Sequence, residues 1–125
     1  MDKLLYENEV FRIRGAIFEV YKEMGFGFLE PVYQECLAKE FLRVDIPFGA
    51  QIPLTLSYKG EQLVQVYRPD FICFDKIIVE LKACENIAPQ HKLQVLNYLR
   101  GSNLRLGLIV NFGTPSKVQI ERIIL

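Results

Sequence analysis

The run Ile77-Ile78-Val79-Glu80-Leu81-Lys82-Ala83 constrains this chain more than any other feature. Apolar and β-branched residues dominate it, so it reads as a strand. A strand this apolar is normally central in its sheet and covered on both faces. Yet it carries Glu80 and Lys82, and a central charge is costly unless it is paired or bound to a metal. The two are separated by one residue, so they point to the same face. The fold must therefore bury this strand and also give two charges a partner.

The remaining periodicities place this strand in a mixed α/β order. Val10, Ile13, Ile17, Val20 and Met24 repeat at helical spacing, predicting a helix over residues 9–24 with Asn8 as N-cap and Gly25 as stop. A second helix starts at Glu30-Pro31, where proline suits the first turn. Val32, Tyr33, Cys36, Leu37 and Phe41 form its face, and Asp45, Pro47 and Gly49 end it. Ile52, Leu54, Leu56 and Tyr58 alternate as in a half-buried strand. Residues 61–73 continue as a second strand, interrupted by Pro69. With 77–83 this predicts a three-stranded antiparallel meander. A third helix spans 89–99 and stops at Gly101. Residues 106–112 read as a buried strand, parallel to 77–83 through a crossover. A last strand covers 118–125. The expectation is a three-layer α/β fold: a mixed sheet flanked by helices.

With 125 residues, half of them apolar, the chain suits one domain, 1–125, with a real core. Fifteen basic and fifteen acidic residues give zero net charge, which counts against non-specific grip on nucleic acid. Cys36, Cys73 and Cys84 form no zinc spacing and read as buried, reduced thiols. The start, Met1-Asp2-Lys3-Leu4-Leu5, does not read as an export signal, and no apolar run reaches membrane-spanning length. A cytoplasmic protein is expected, with no membrane partner.

The candidate chemistry gathers around the hairpin at Asp75. If its turn centres there, Asp70 lies across from Glu80, and Arg68 lies opposite Lys82. Two adjacent carboxylates raise each other's pKa, and bound Mg²⁺ or Mn²⁺ removes that conflict. Lys82 can then orient or deprotonate a water or stabilise charge on a phosphate. On spacing alone, a buried Asp–Lys–Glu ion pair holding the meander together serves equally well. On the third helix, His91, Gln94 and Tyr98 share a face. Gln94 can bond a nucleophile or phosphate oxygen, or simply satisfy the backbone, while Tyr98 packs and His91 is structural. Glu30 either stabilises its helix N-terminus or reaches the metal.

Arg68-Pro69-Asp70 followed by Glu80-Leu81-Lys82 resembles the signature of the PD-(D/E)XK nuclease superfamily. Gln94-x-x-x-Tyr98 is similar to the extra motif of its RecB-like branch. Gly27-x-x-Glu30-x-x-Tyr33 resembles the motif of the GxxExxY protein family, within the same superfamily. Tyr67-Arg68-Pro69-Asp70, His91, Asn97-Tyr98-Leu99 and residues 107–113 fit that pattern too. The resemblance runs from Val10 to Leu125 and implies a restriction-endonuclease-like, α-β-β-β-α-β core. It implies that Asp70 and Glu80 bind Mg²⁺ or Mn²⁺, that Lys82 is catalytic, and that Glu30 and Gln94 complete the site, with Arg68, His91 and Tyr98 as substrate contacts. The expected function is metal-dependent hydrolysis of nucleic acid, DNA foremost. Two alternatives stand beside it. One is a non-catalytic module that binds a protein partner or nucleic-acid ends. The other is hydrolysis of a different phosphate ester. Ile123, Ile124 and Leu125 suggest a homodimer edge.

Overall fold

The computed structural model describes residues 4–125, so the reading of Met1, Asp2 and Lys3 lies outside the described residues. Ten elements follow in order. They are α1 (Glu7–Met24), α2 (Glu30–Arg43), β1 (Phe48–Ala50), β2 (Leu54–Tyr58), β3 (Glu61–Tyr67), β4 (Phe71–Cys73), β5 (Ile77–Lys82), α3 (Pro89–Ser102), β6 (Leu106–Asn111) and β7 (Gln119–Ile124). The main sheet runs β1-β4-β5-β6-β7, and β2 and β3 form a separate two-stranded sheet. Only β5 and β6 are parallel, with Ile77 beside Leu106 and Lys82 beside Asn111; the other pairs are antiparallel.

The central strand is where its composition puts it. Ile77, Val79 and Leu81 point to one face, where they meet Ile13, Ile17, Tyr33, Leu37 and Phe41 of α1 and α2. Ile78 points to the other, with Ile109 of β6 and Val95 and Leu99 of α3. Fully burying each such side chain contributes about 1.5–3 kcal/mol. Glu80 and Lys82 alternate onto the face of Ile78, at the C-terminal end of the parallel pair. No helix among the described residues is long and apolar enough to cross a membrane.

The meander is the main departure. Residues 61–73 do not form one strand, because they divide at Arg68-Pro69 between the two sheets. Pro69 has no N–H to give a ladder, so pairing cannot run through it. The second antiparallel neighbour of β4, beside β5, is Phe48–Ala50, which the sequence reads as helix-ending residues. Three residues are too few for any periodicity. The Ile52 side chain covers Gly49 where a Cβ would stand. The β2–β3 hairpin lies beside α3, with Leu56 against Gly101. That contact accompanies a helix continuing past Gly101 to a cap at Asn103, φ 62°. At the other end of the chain, Tyr6 rather than Asn8 caps α1. The cysteines are free, but only Cys73 is buried, where burial pushes its thiol up to about 12; Cys36 and Cys84 are half-buried.

Candidate metal and phosphate site

The hairpin turn at Phe74-Asp75 determines the site. Both residues adopt positive φ, and the ladder pairs Cys73 with Ile77 and Phe71 with Val79. One step further sets Asp70 beside Glu80, as the turn position predicts. The contact is direct: the Asp70 N–H donates to Glu80 Oε1 at 2.7 Å. In return the Leu81 N–H donates to Asp70 Oδ2 at 2.8 Å, and the Gln51 amide donates to Asp70 Oδ1 at 3.2 Å. Both carboxylates are thus held by the backbone beside them, which fixes their direction.

The electrostatics are those of crowded acids. Burial pushes Glu80 up to about 7, and the negative charge of Asp70 adds to the rise; the Asp70 N–H, Tyr67 and Lys82 oppose it. Burial also raises Asp70, against the Leu81 N–H, Lys82 and Gln51. Glu30, the first residue of α2, belongs to the same field. Its carboxyl is raised by burial and then by Asp70, and lowered by Lys82. Three carboxylates from α2, the β3–β4 junction and β5 therefore share one ammonium. Lys82 forms no ion pair among the described residues; the ion pairs present there are Arg43–Glu40, Lys76–Glu9 and Lys92–Glu121. An Asp–Lys–Glu ion pair is not what holds the strands together.

This donor set fits a divalent cation in chemistry: hard oxygen donors, excess negative charge and a protonation conflict that a cation would relieve. Among the described residues no three His, Cys, Asp or Glu side chains stand close enough to form a ready cage. Asp70 and Glu80 would hold a cation with few protein ligands, the manner usual for Mg²⁺.

Two supports fall in motifs that the sequence singles out, but their roles do not follow from it. Tyr67 ends β3 beside Glu80, and burial followed by the Glu80 charge raises its hydroxyl. Its Oη is buried yet makes no well-formed hydrogen bond. Asn111, fully buried, latches the strand ends. Its Oδ1 accepts from the N–H groups of Cys84 and Gly113, and its Nδ2 donates to Cys84 O and Gln119 Oε1. The one signal for Asn111 is a polar residue closing an apolar run before glycine. That glycine is required, because a Cβ on Gly113 would collide with the Cys84 backbone.

The α3 residues reach the site at one remove. Gln94 donates its amide to Tyr98 Oη at 2.7 Å, and the Tyr98 ring stacks on Tyr67, 10° from parallel. Gln94 and Tyr98 thus connect to Glu80 through Tyr67. They also line an open groove of about 400 Å³ with Gln90, His91, Leu93 and Asn97. His91 is partly committed, since its Nδ1 accepts from the Ala88 N–H at 3.1 Å and so caps α3. Arg68 lies beyond the β4–β5 ladder, which therefore does not pair it with Lys82; its guanidinium donates to Gln51 O at 3.4 Å. The break at Pro69 is the reason.

A mixed sheet with flanking helices, and acids at the open end of its parallel pair, defines an α/β fold of the nuclease type. The chain belongs to the PD-(D/E)XK nuclease superfamily, whose family model matches residues 7–123. The crystal structure of SSO0001 is similar in fold, with a TM-score of 0.58 at 18% identity over 76% of this chain. This chain spans 50% of that one. No curated protein sequence matches it.

Proposed function

We propose that the protein is a divalent-metal-dependent nuclease of the GxxExxY type, hydrolysing phosphodiester bonds of nucleic acid, with DNA the expected substrate. The observation that carries this reading is the locked Asp70–Glu80 pair beside a lysine in no ion pair among the described residues. Asp70 and Glu80 would hold Mg²⁺ or Mn²⁺, which supplies Lewis-acid stabilisation of charge on the phosphate. Lys82 is available to stabilise that charge or to move a proton. Glu30 adds a third carboxylate at the start of α2. Gln94 and Tyr98 brace the Tyr67 side of the site, and the exposed Arg68 and the Nε2 of His91 remain available to substrate. We also take the chain as one domain acting in the cytoplasm.

The test is incubation with linear, circular and single-stranded DNA and with RNA, in Mg²⁺ or Mn²⁺. Absence of cleavage of all four, with no heat of metal binding, sinks the reading. Lys82→Ala is expected to keep the fold and metal binding and to lose cleavage; an unfolded variant argues for a structural lysine instead.

The second reading, a non-catalytic module with a protein partner or a second copy, draws on the hairpin. Six of the seven β3 residues are exposed, Val64 at 94%. At the β7 edge of the main sheet, Ile124 and Leu125 are exposed, while Ile123 packs against the α3 core. Light scattering decides it: a monomer that cuts DNA unaided counts against this reading.

A further inference from the structure

The loop between α1 and α2 presents apolar side chains to water. Phe26, Phe28 and Leu29 are 54%, 45% and 77% exposed, and Val32 on the next turn joins them. The loop is nevertheless fixed. Gly25 and Gly27, at φ 68° and 109°, bracket Phe26 in conformations that other residues rarely adopt. The Tyr33 hydroxyl donates to Gly25 O at 2.6 Å and accepts from the Phe28 N–H at 3.3 Å. The Phe28 ring meets Tyr33 edge-on, with centroids 6.1 Å apart. Tyr33 is itself fully buried and stacked on Phe112 at 4.4 Å. Rings held on such a backbone lose little further freedom on binding. Consecutive exposed apolar residues of this kind mark an interaction site.

Its position and the local charge indicate the partner. Tyr33, which fixes the loop, stacks on Phe112, whose N–H donates to Lys82 O at 2.9 Å, so the patch borders the proposed site. Lys82 and Arg68 are in no ion pair among the described residues, and the chain carries no net positive charge. Two such cations complement one or two phosphates, not the dense charge of a duplex. Most of the affinity must come from contacts that do not depend on charge. Exposed rings provide these when bases are unpaired and free to stack.

We infer that residues 25–32 form a base-stacking platform, which makes unpaired, single-stranded nucleic acid the substrate class. The inference rests on the nuclease reading for the placement of the phosphate. Binding is to be measured by fluorescence anisotropy in Ca²⁺, using an oligothymidylate of about 12 nucleotides, an abasic oligomer of the same backbone, and a blunt duplex. The oligothymidylate is expected to bind about tenfold or more tightly than either competitor. Phe26→Ala/Phe28→Ala, at exposed positions, is expected to keep the native circular dichroism and to lose about tenfold in oligothymidylate affinity, ~1.4 kcal/mol, with abasic binding unchanged. Equal affinity for the abasic oligomer, tighter binding of the duplex, no binding at all, or an unchanged double variant overturns the platform. So does a double variant that loses self-association in light scattering but binds oligothymidylate normally, since the patch is then a protein contact. Base-dependent binding without cleavage in Mg²⁺ supports the platform and refutes the nuclease reading. Cleavage by a protein that ignores bases refutes the platform alone.

Discussion

Replacing Glu80 by glutamine should stabilise the metal-free protein, and should do so only above neutral pH. Glu80 titrates at about 7 in the folded chain against an ordinary value of 4.5, chiefly because it is buried and secondarily because Asp70 is beside it. The folded state therefore favours the protonated acid. Its contribution to stability is fully present below pH 4.5 and is lost as pH rises to about 7. Each tenfold displacement of a protonation equilibrium is worth ~1.4 kcal/mol, so the ionised Glu80 opposes folding by about 3 kcal/mol at pH 8. At pH 5 the same linkage leaves less than ~1 kcal/mol. Glutamine keeps a carbonyl oxygen to accept from the Asp70 N–H, so the local geometry should survive. Urea denaturation in EDTA at pH 5 and pH 8 measures both numbers. Glu80→Gln should gain about 3 kcal/mol at pH 8 and little at pH 5. Added Mg²⁺ should narrow that gap at pH 8 by stabilising only the wild type. A variant no more stable at pH 8, or equally stabilised at both pH values, would show that the acid is not strained and remove the electrostatic case for a metal.

Three further changes probe the supports. Asn111→Ala strands the backbone groups of Cys84 and Gly113 in the interior and should cost about 2–4 kcal/mol, measured by urea denaturation. Tyr33→Phe keeps the stack on Phe112 but frees Gly25 O and the Phe28 N–H; a loss of about 1–2 kcal/mol and faster hydrogen exchange at Phe28 are expected. Gly113→Ala should destabilise more than an exposed-site alanine, by over ~2 kcal/mol, because the Cβ meets backbone rather than a movable side chain.

The sequence carried the site better than the sheet. Opposition of Asp70 and Glu80 needs only the hairpin turn, because every pair in an antiparallel ladder is fixed by one turn position. That Gln94 and Tyr98 share a face follows from helix spacing, and the hydrogen bond between them shows it. Arg68 fails the same ladder logic because Pro69 intervenes. The division of residues 61–73 between two sheets depends on where α3 and the hairpin settle, which no local pattern encodes. β1 was hidden for a related reason: Pro47 and Gly49 resemble loop residues when the strand is only three residues long. Tyr67 lies in a motif that the sequence singles out, but its position against both Glu80 and Tyr98 requires contacts from β3, β5 and α3 together.

The two readings that the sequence left level, ion pair and metal, differ in what Lys82 must do. An ion pair needs the ammonium in contact with a carboxylate, and a buried strand charge without that contact gains nothing for the fold. Lys82 has no such contact among the described residues, although the charges of Glu30, Asp70 and Glu80 all respond to it. Meanwhile the backbone N–H groups of Asp70 and Leu81 hold the carboxylates in the crowded arrangement that raises Glu80. A fold selected for stability alone would let these side chains separate or pair. Backbone locking against mutual repulsion supports the proposed site for a cation and a phosphate, because it keeps the donors aligned before either arrives.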